Sequence, residues 1–187
     1  MPIRQAVEVI LAELGETLAR VAPEGLERLA EAILAADRVY VAGGGRSGLM
    51  ARALAMRLMH LGLVTYVVGE TTTPAIRQGD LLVACSASGE THVTVIVSQV
   101  AREAGARVFA ITATPDSPMA RQADETIIIP APSKRARAVE GAASSVQYGG
   151  SLFEQALLVL LDAVSIEIGR RLGRGPQDVA SRHANLE

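Results

Sequence analysis

Residues 80–92, DLLVACSASGETH, decide the fold predicted for this chain. The run Leu81 to Cys85 is short and wholly apolar, as in a buried strand of a parallel sheet. The turn after this run is rich in hydroxyl side chains, which belong to Ser86, Ser88 and Thr91. From Val93 onward, apolar residues recur at helical spacing. The stretch therefore predicts a strand, a polar turn and a helix in direct succession.

The hydroxyl-rich turn is also the first candidate for a binding site. The first turn of a helix offers unpaired backbone N–H groups and the positive end of the helix dipole. One serine or threonine is enough to cap a helix, so three hydroxyl groups exceed what capping needs. We therefore interpret the turn as a cradle for the phosphate group of a small-molecule ligand. A plain helix cap is the simpler alternative.

The same succession of short apolar runs and helical patterns recurs along the chain. Strands are predicted at Arg38–Ala42, Val64–Val68, Leu81–Cys85, Arg107–Thr112 and Glu125–Ile129. Helices are predicted from Ile3 to Val21, from Pro23 to about Ala36, over Leu49–Leu61, Val93–Ala104 and Leu152–Leu172, and briefly from Ser117.

This alternation favours an α/β fold. We expect a three-layer α-β-α sandwich around a five-stranded parallel sheet in the flavodoxin-like order 2-1-3-4-5. We also expect a single domain over residues 1–187. Its parts would be N-terminal helices at 1–36, an α/β core at 37–172 and a polar tail at 173–187.

A glycine-rich turn, Gly43 to Gly48, follows the first predicted strand. In the expected sheet, ligands bind beyond the carboxyl ends of strands 1 and 3, where both polar turns fall. The glycine spacing also matches the dinucleotide pattern G-x-G-x-x-G, with Glu70 roughly placed as its acidic partner. Arg46 and Ser47 inside the turn instead favour a phosphate monoester with sugar hydroxyls. Two separate signals thus predict one ligand site, and a tight turn without a ligand is the alternative.

The composition excludes several classes of protein. The 187 residues are 49% hydrophobic and 3% aromatic, which suits an aliphatic core between helices and a parallel sheet. A formal net charge of −2 argues against nucleic-acid binding. Cys85 is the only cysteine and no apolar run could span a bilayer, so we expect a cytoplasmic protein without a membrane partner. No two histidines have metal-ligand spacing, so we expect no metal.

Three side chains outside the turns are candidates for proton transfer. Glu154 lies near the start of a predicted apolar helix, where a carboxylate is costly unless it is paired or used. We interpret it as a general base, and a first-turn glutamate that serves the helix dipole is the alternative. His60 ends a predicted helix and His183 lies in the tail; a packed histidine is the simpler interpretation of His60. The predicted loop at 130–148 carries a basic group, expected to be solvated, of Lys134, Arg135 and Arg137.

Five blocks of the sequence together resemble one known family. They are VAGGGRSG at 41–48, GETTTPAI at 69–76, SASGET at 86–91, GGSLFEQ at 149–155 and RHANLE at 182–187. In this order they resemble the 6-phospho-3-hexuloisomerase family, which belongs to the sugar isomerase (SIS) domain proteins. The likeness covers essentially the whole chain. Gly44 stands where alanine is common in that family, and Ala87 stands where glycine is common.

The resemblance implies an activity and a substrate site. The activity is the interconversion of 3-hexulose 6-phosphate and fructose 6-phosphate in the ribulose monophosphate pathway, by metal-free proton transfer through a cis-enediol. Glu154 is implied as the base, and we assign His60 of this or a neighbouring chain to oxygen shuttling, with His183 as its rival. The implied substrate-binding residues are Gly45, Arg46, Ser47, Ser86, Ala87, Ser88, Gly89, Glu90 and Thr91.

The resemblance also makes implications about cofactors, oligomeric state and partners. It implies no cofactor, a homotetramer, and 3-hexulose-6-phosphate synthase as the pathway partner. Two other functions stay open on the same fold: a non-catalytic phosphosugar sensor, and an isomerase similar to those that act on arabinose 5-phosphate. Glu154 separates the first of these from an enzyme, because a sensor has no use for a base.

Overall fold

The computed structural model describes residues 1–132 and 145–185. The basic loop residues Lys134, Arg135 and Arg137 and the last two residues of the tail lie outside this part. The helices are α1 (Ile3–Ala19), α2 (Pro23–Ala35), α3 (Gly45–His60), α4 (His92–Glu103), α5 (Ser151–Arg171) and α6 (Pro176–Ser181). The strands are β1 (Val39–Gly43), β2 (Thr65–Val67), β3 (Leu81–Cys85), β4 (Arg107–Thr112) and β5 (Glu125–Ile128).

The strands form one parallel sheet in the order β2-β1-β3-β4-β5, which confirms the predicted topology. At its centre Val39 pairs with Leu81 and Gly43 pairs with Cys85, so β1 and β3 end at the same level. From β1 the chain continues to one side of the sheet, and from β3 it continues to the other. The carboxyl ends of these two strands are therefore the switch point at which such sheets bind ligands.

Alternate residues of the strands enter two separate cores, because successive side chains of a strand point to opposite faces of the sheet. The larger core lies under α2, α3 and α5 and contains, among others, Val39, Val41, Leu81, Val83 and Cys85. The smaller core lies under α4 and contains Tyr40, Ala42, Leu82 and Ala84. Helices on both faces make the three-layer sandwich that the apolar strands predicted.

The structure corrects two details of the prediction. The short helix expected from Ser117 is a turn that leads into a 3-10 segment at Ala120–Gln122. Ser117 Oγ still accepts a hydrogen bond from the Ala120 N–H, at 3.3 Å, as a cap would. The tail, expected only to be polar, contains α6, which begins at Pro176 as proline favours.

Helix α1 forms where its apolar period predicts, but only part of that apolar stripe is buried. Leu14 and Leu18 pack against the larger core. The side chains nearer the start, Ile3, Val7 and Leu11, are exposed. Period alone therefore predicts the helix and not the extent of its burial.

Candidate active site

The Gly43–Gly48 turn carries the chain from β1 into α3 and leaves no room for a side chain at Gly43, Gly44 or Gly48. A Cβ on Gly48 would lie 2.5 Å from the Gly43 carbonyl oxygen, and a Cβ on Gly44 would lie 3.0 Å from Thr91 Cγ2. Gly45 has a φ of +54°, a left-handed conformation that glycine adopts without strain. The glycines thus let this turn contact the turn that follows β3, so the two predicted parts of the site meet.

The turn that follows β3, Ser86–Thr91, is held by its own hydroxyl groups. Ser86 Oγ lies 3.0 Å from Thr91 Oγ1 and accepts a hydrogen bond from the Gly89 N–H at 3.1 Å. Ser88 Oγ accepts one from the Glu90 N–H at 3.2 Å. In the described part of the chain no residue other than glycine has a positive φ, so Ala87 occupies this turn without backbone strain.

Glu154 lies in the first turn of α5 and forms an ion pair with Arg46 of α3. The Glu154 side chain is 14% exposed and the Arg46 side chain 59% exposed, so the pair faces solvent on one side. A Cβ on Gly150 would lie 3.5 Å from Glu154 Oε1 and 4.0 Å from Ala87 Cβ, which places the carboxylate beside the Ser86–Thr91 turn. The guanidinium explains how apolar surroundings tolerate this charge.

Three helices begin around these turns, and none of them is capped by a side chain. The N-cap residues are Gly44 for α3, Thr91 for α4 and Gly150 for α5. The Thr91 hydroxyl interacts with Ser86 instead of capping α4, so the simple cap interpretation is wrong for this residue. Unpaired N–H groups and the positive ends of three helix dipoles favour a bound anion at this place.

His60 lies at the opposite end of α3 from Arg46. The 16 residues of α3 separate its two ends by about 22 Å at the helical rise per residue. His60 is buried and its ring stacks on that of His183, with 4.2 Å between centroids. Burial, and then repulsion by His183 and Arg57, lowers the pKa of His60, so the imidazole is neutral at pH 7. Within one chain His60 does not reach Glu154.

The remaining candidate residues are Glu70, Cys85 and Glu90. Glu70 pairs with Arg52 of α3, on the surface of the molecule. Cys85 is buried, and burial raises the pKa of its thiol to about 12, which makes it a poor nucleophile. Glu90 is exposed at the rim of the Ser86–Thr91 turn.

Sequence reasoning missed the residues that support the Ser86–Thr91 turn on its β4 side. They come from the end of β4 and the segment after it, and they are Thr112, Thr114 and Ser117. The available signal was the appearance of hydroxyl side chains directly after the apolar run Val108–Ile111. The sequence had shown the same signal after β3.

Residues 1–132 and 145–185 contain neither a metal-binding cluster nor a membrane-spanning helix. No three His, Cys, Asp or Glu side chains in these ranges come together as a metal site requires. No helix described there has the length and apolar character needed to cross a membrane.

Comparison with known proteins adds to this geometry. The family model of the SIS domain matches residues 32–159, which include both turns, Arg46, His60 and Glu154. The chain belongs to the SIS domain family. The glycine turn is thus part of a SIS domain, and the dinucleotide interpretation of this turn loses its support.

Similar proteins within this family share one named activity. A 3-hexulose-6-phosphate isomerase of Mycobacterium gastri is 46% identical over 99% of this SIS-domain chain and 92% of its own length. One of Bacillus subtilis is 38% identical over the full length of both chains. A solved structure from Methanococcus jannaschii, from which a 3-hexulose-6-phosphate isomerase function was inferred, is 30% identical with a TM-score of 0.81. That match covers 98% of this chain and 99% of the other.

Proposed function

We propose that this protein is a 6-phospho-3-hexuloisomerase, which interconverts 3-hexulose 6-phosphate and fructose 6-phosphate. One observation carries the proposal: a carboxylate, Glu154, borders a turn built to receive a phosphate, in a chain whose full-length relatives are named for this reaction. A phosphate site alone would serve a sensor equally well. The adjacent carboxylate gives the site a group that can move a proton.

The phosphate group would bind at the switch point of the sheet. The hydroxyls of Ser47, Ser86, Ser88 and Thr91 and the free N–H groups at the starts of α3 and α4 supply its hydrogen bonds. Ser47 and Ser86 are buried, so their positions are fixed before the ligand arrives. This grip holds the open-chain sugar with its reacting carbons near Glu154.

The reaction moves a carbonyl from C3 to C2 without external oxidant or reductant, because one carbon is reduced as its neighbour is oxidised. Glu154 takes the proton from C2, which gives a cis-enediol, and returns a proton to C3. The hydroxyl proton on O2 must leave and O3 must gain one, so a second group is needed. Arg46 lies against the base and stabilises the negative charge that develops on the enediolate oxygens.

His60 of a neighbouring chain is the proposed second group. Its neutral ring can both donate and accept a proton, as transfer between O2 and O3 requires, and its Nδ1 has no hydrogen-bond partner among the described residues. Leu49, Met56 and Met59 form an exposed apolar stripe along α3. Two α3 helices packed antiparallel along this stripe would place His60 of one chain beside Arg46 of the other. We propose that the homotetramer implied by the family resemblance is built from such pairs.

The family resemblance also suggests a pathway partner. The substrate, 3-hexulose 6-phosphate, must be supplied by a reaction that builds a hexulose phosphate, and 3-hexulose-6-phosphate synthase is the proposed partner in the pathway. No redox cofactor enters this chemistry, since the substrate is its own electron donor and acceptor.

The decisive experiment is an assay of the purified protein with 3-hexulose 6-phosphate. Formation of fructose 6-phosphate is followed through a coupled dehydrogenase, and arabinose 5-phosphate serves as the comparison substrate. We expect turnover of the hexulose phosphate and none of the pentose phosphate. A protein that binds fructose 6-phosphate in a calorimeter but never forms it would be a sensor, and the proposal would be wrong.

A further inference from the structure

The end of β4 and the residues after it lie beside the start of the Ser86–Thr91 turn and donate to one carbonyl group of it. The Ala87 carbonyl oxygen accepts from the Ala113 N–H at 3.0 Å, from Thr112 Oγ1 at 3.2 Å and from Thr114 Oγ1 at 3.4 Å. Thr112 is completely buried, so no water can replace its hydroxyl group. The same hydroxyl oxygen accepts from the Thr114 N–H at 3.2 Å, which fixes its orientation.

Three donors on one carbonyl determine how the peptide group between Ala87 and Ser88 faces. A carbonyl oxygen has two lone pairs, so this one has no capacity left for a ligand or for water. In a trans peptide the N–H points opposite to the C=O. Since the carbonyl points sideways toward β4, which lies beside β3 in the sheet, the Ser88 N–H points to the other side, toward β1 and the Gly43–Gly48 turn that follows it. No acceptor for it is found in the described part of the chain.

The next part of the turn is held from the same side. The Gly89 carbonyl accepts from the Met119 N–H at 3.1 Å. Gly89 has a φ of +61°, and a Cβ there would lie 2.0 Å from Ser117 Oγ and 3.1 Å from Thr112 Oγ1. The turn is therefore held on one side by β4 and the segment after it, where the Thr112 hydroxyl donates to Ala87 and lies beside Gly89.

We propose that Thr112 is a positioning residue for the substrate phosphate: it holds the Ala87 carbonyl so that the Ser88 N–H is aimed at the phosphate oxygens. This inference rests on the proposed function of the Ser86–Thr91 turn as the phosphate site. Thr112 itself touches no substrate. Thr114, whose hydroxyl is longer-bonded and only half-buried, assists in the same role.

Binding of inorganic phosphate and fructose 6-phosphate to the full-length protein tests the proposal by calorimetry. Thr112→Val keeps the shape of the side chain but removes its donor and its acceptor. Because this change frees the Ala87 carbonyl from one donor and leaves the part-buried Thr114 N–H without its partner, the turn loses its fixed orientation, and we expect phosphate to bind about tenfold more weakly. Thr112→Ser restores the hydroxyl and should bind within about twofold of wild type. KM should rise in Thr112→Val by a similar factor, while kcat changes much less, since phosphate contacts are equal in ground and transition states.

Ser165→Ala is the matched control for loss of a buried hydroxyl. Its Oγ donates to the Leu161 carbonyl at 2.8 Å within α5, away from both turns, so phosphate affinity should not change.

A second measurement follows the Ser88 amide resonance in a phosphate titration. The resonance should shift strongly in wild type and weakly in Thr112→Val.

Two results would overturn the assignment of Thr112. One is phosphate affinity in Thr112→Val equal to wild type; the other is equal weakening in Thr112→Val and Thr112→Ser. If Thr112→Val does not fold, Thr114→Val takes its place, with an expected weakening of about threefold. Phosphate binding is measured without turnover, so a wild type that binds phosphate but forms no fructose 6-phosphate refutes the proposed function and leaves this test standing.

Discussion

Two carboxylate–arginine pairs lie at opposite edges of the same sheet. They differ in the burial of the carboxylate and in the number of hydrogen bonds that it accepts. At the amino edge, Asp80 accepts from Arg38 Nε at 2.8 Å, from Arg38 Nη2 at 2.6 Å and from the Arg77 N–H at 2.8 Å. Its side chain is fully buried. At the carboxyl edge, Glu154 has Arg46 as its described partner and remains partly open.

This difference distinguishes a carboxylate that only stabilises the fold from one that can accept a proton from a substrate. A carboxylate whose oxygens are all occupied and buried cannot receive a proton from a substrate, whatever its neighbours are. Burial alone would raise the pKa of Asp80, but the hydrogen bonds from Arg38 and Arg77 outweigh it and hold the pKa below its ordinary value of 3.8. Asp80 therefore fastens the start of β3, whereas Glu154 has a single described partner and a side chain that is 14% exposed.

The largest effect is expected at the open pair. Glu154→Gln keeps the size of the side chain and removes the base, so kcat should fall by a factor of about 10² to 10⁴. Fructose 6-phosphate should still bind, because its phosphate contacts are made elsewhere. Steady-state kinetics and calorimetry measure the two effects. Glu167→Gln, on the far half of the same helix and paired with Arg170 and Arg171, is the control and should keep full activity. Unchanged turnover in Glu154→Gln would remove this residue from the mechanism.

The second prediction asks whether the open pair is completed by another chain. His60→Gln should lower kcat by a factor of about 10² through loss of proton transfer between the substrate oxygens. When inactive Glu154→Gln and His60→Gln chains are unfolded and refolded together, about a quarter of the sites in a mixed oligomer regain both groups if the site spans two chains.

Activity of the mixed protein is the measurement that decides this point. Recovery to roughly that level supports His60 acting in a neighbouring chain. No recovery, with each variant still oligomeric, contradicts it. Refolded wild type is the control for losses during the procedure.

The closed pair should respond in the opposite way, in stability and not in turnover. Asp80→Asn removes the charge that satisfies Arg38 and should lower the free energy of unfolding by about 3 kcal/mol, as the loss of a buried ionic partner does. Urea denaturation measures this value, and kcat at a temperature where the variant is folded should stay near wild type. Asp162→Asn, an exposed residue of α5, is the matched control and should be neutral. A stable Asp80→Asn variant that has lost activity would contradict the assignment of Asp80 to stability alone.

The smallest effect is a pH dependence of stability that comes from Asp80. Because its pKa is lowered in the folded protein, Asp80 stabilises the fold above its unfolded pKa of 3.8, and this contribution is lost as pH falls through the lower folded value. In that range the slope of the unfolding free energy should be steeper in wild type than in Asp80→Asn, by at most about 1.4 kcal/mol per pH unit. Urea titrations from neutral to acid pH measure both slopes. Identical slopes would show that Asp80 is not held in its ionised form.

The topology of the sheet and the meeting of the two polar turns could be predicted from the sequence. Five short apolar runs separated by helical patterns are enough to predict the sheet order, because parallel strands joined by right-handed crossovers leave few arrangements. The glycine and serine turns could be assigned to one place for the same reason, since they follow neighbouring strands. These are local patterns, and burial on both faces of the sheet makes them strong.

The pairing of charges and the hydroxyl groups that support the Ser86–Thr91 turn could be seen only in the folded molecule. Arg46 and Glu154 are 108 residues apart, and Thr112 meets Ala87 across 25 residues, so no spacing along the chain could have joined them. The folded molecule also shows that His60 lies a whole helix away from Glu154 in its own chain. Side-chain contacts between distant segments depend on how helices are seated on the sheet, and that seating is set by the packing of the whole core and not by any single segment.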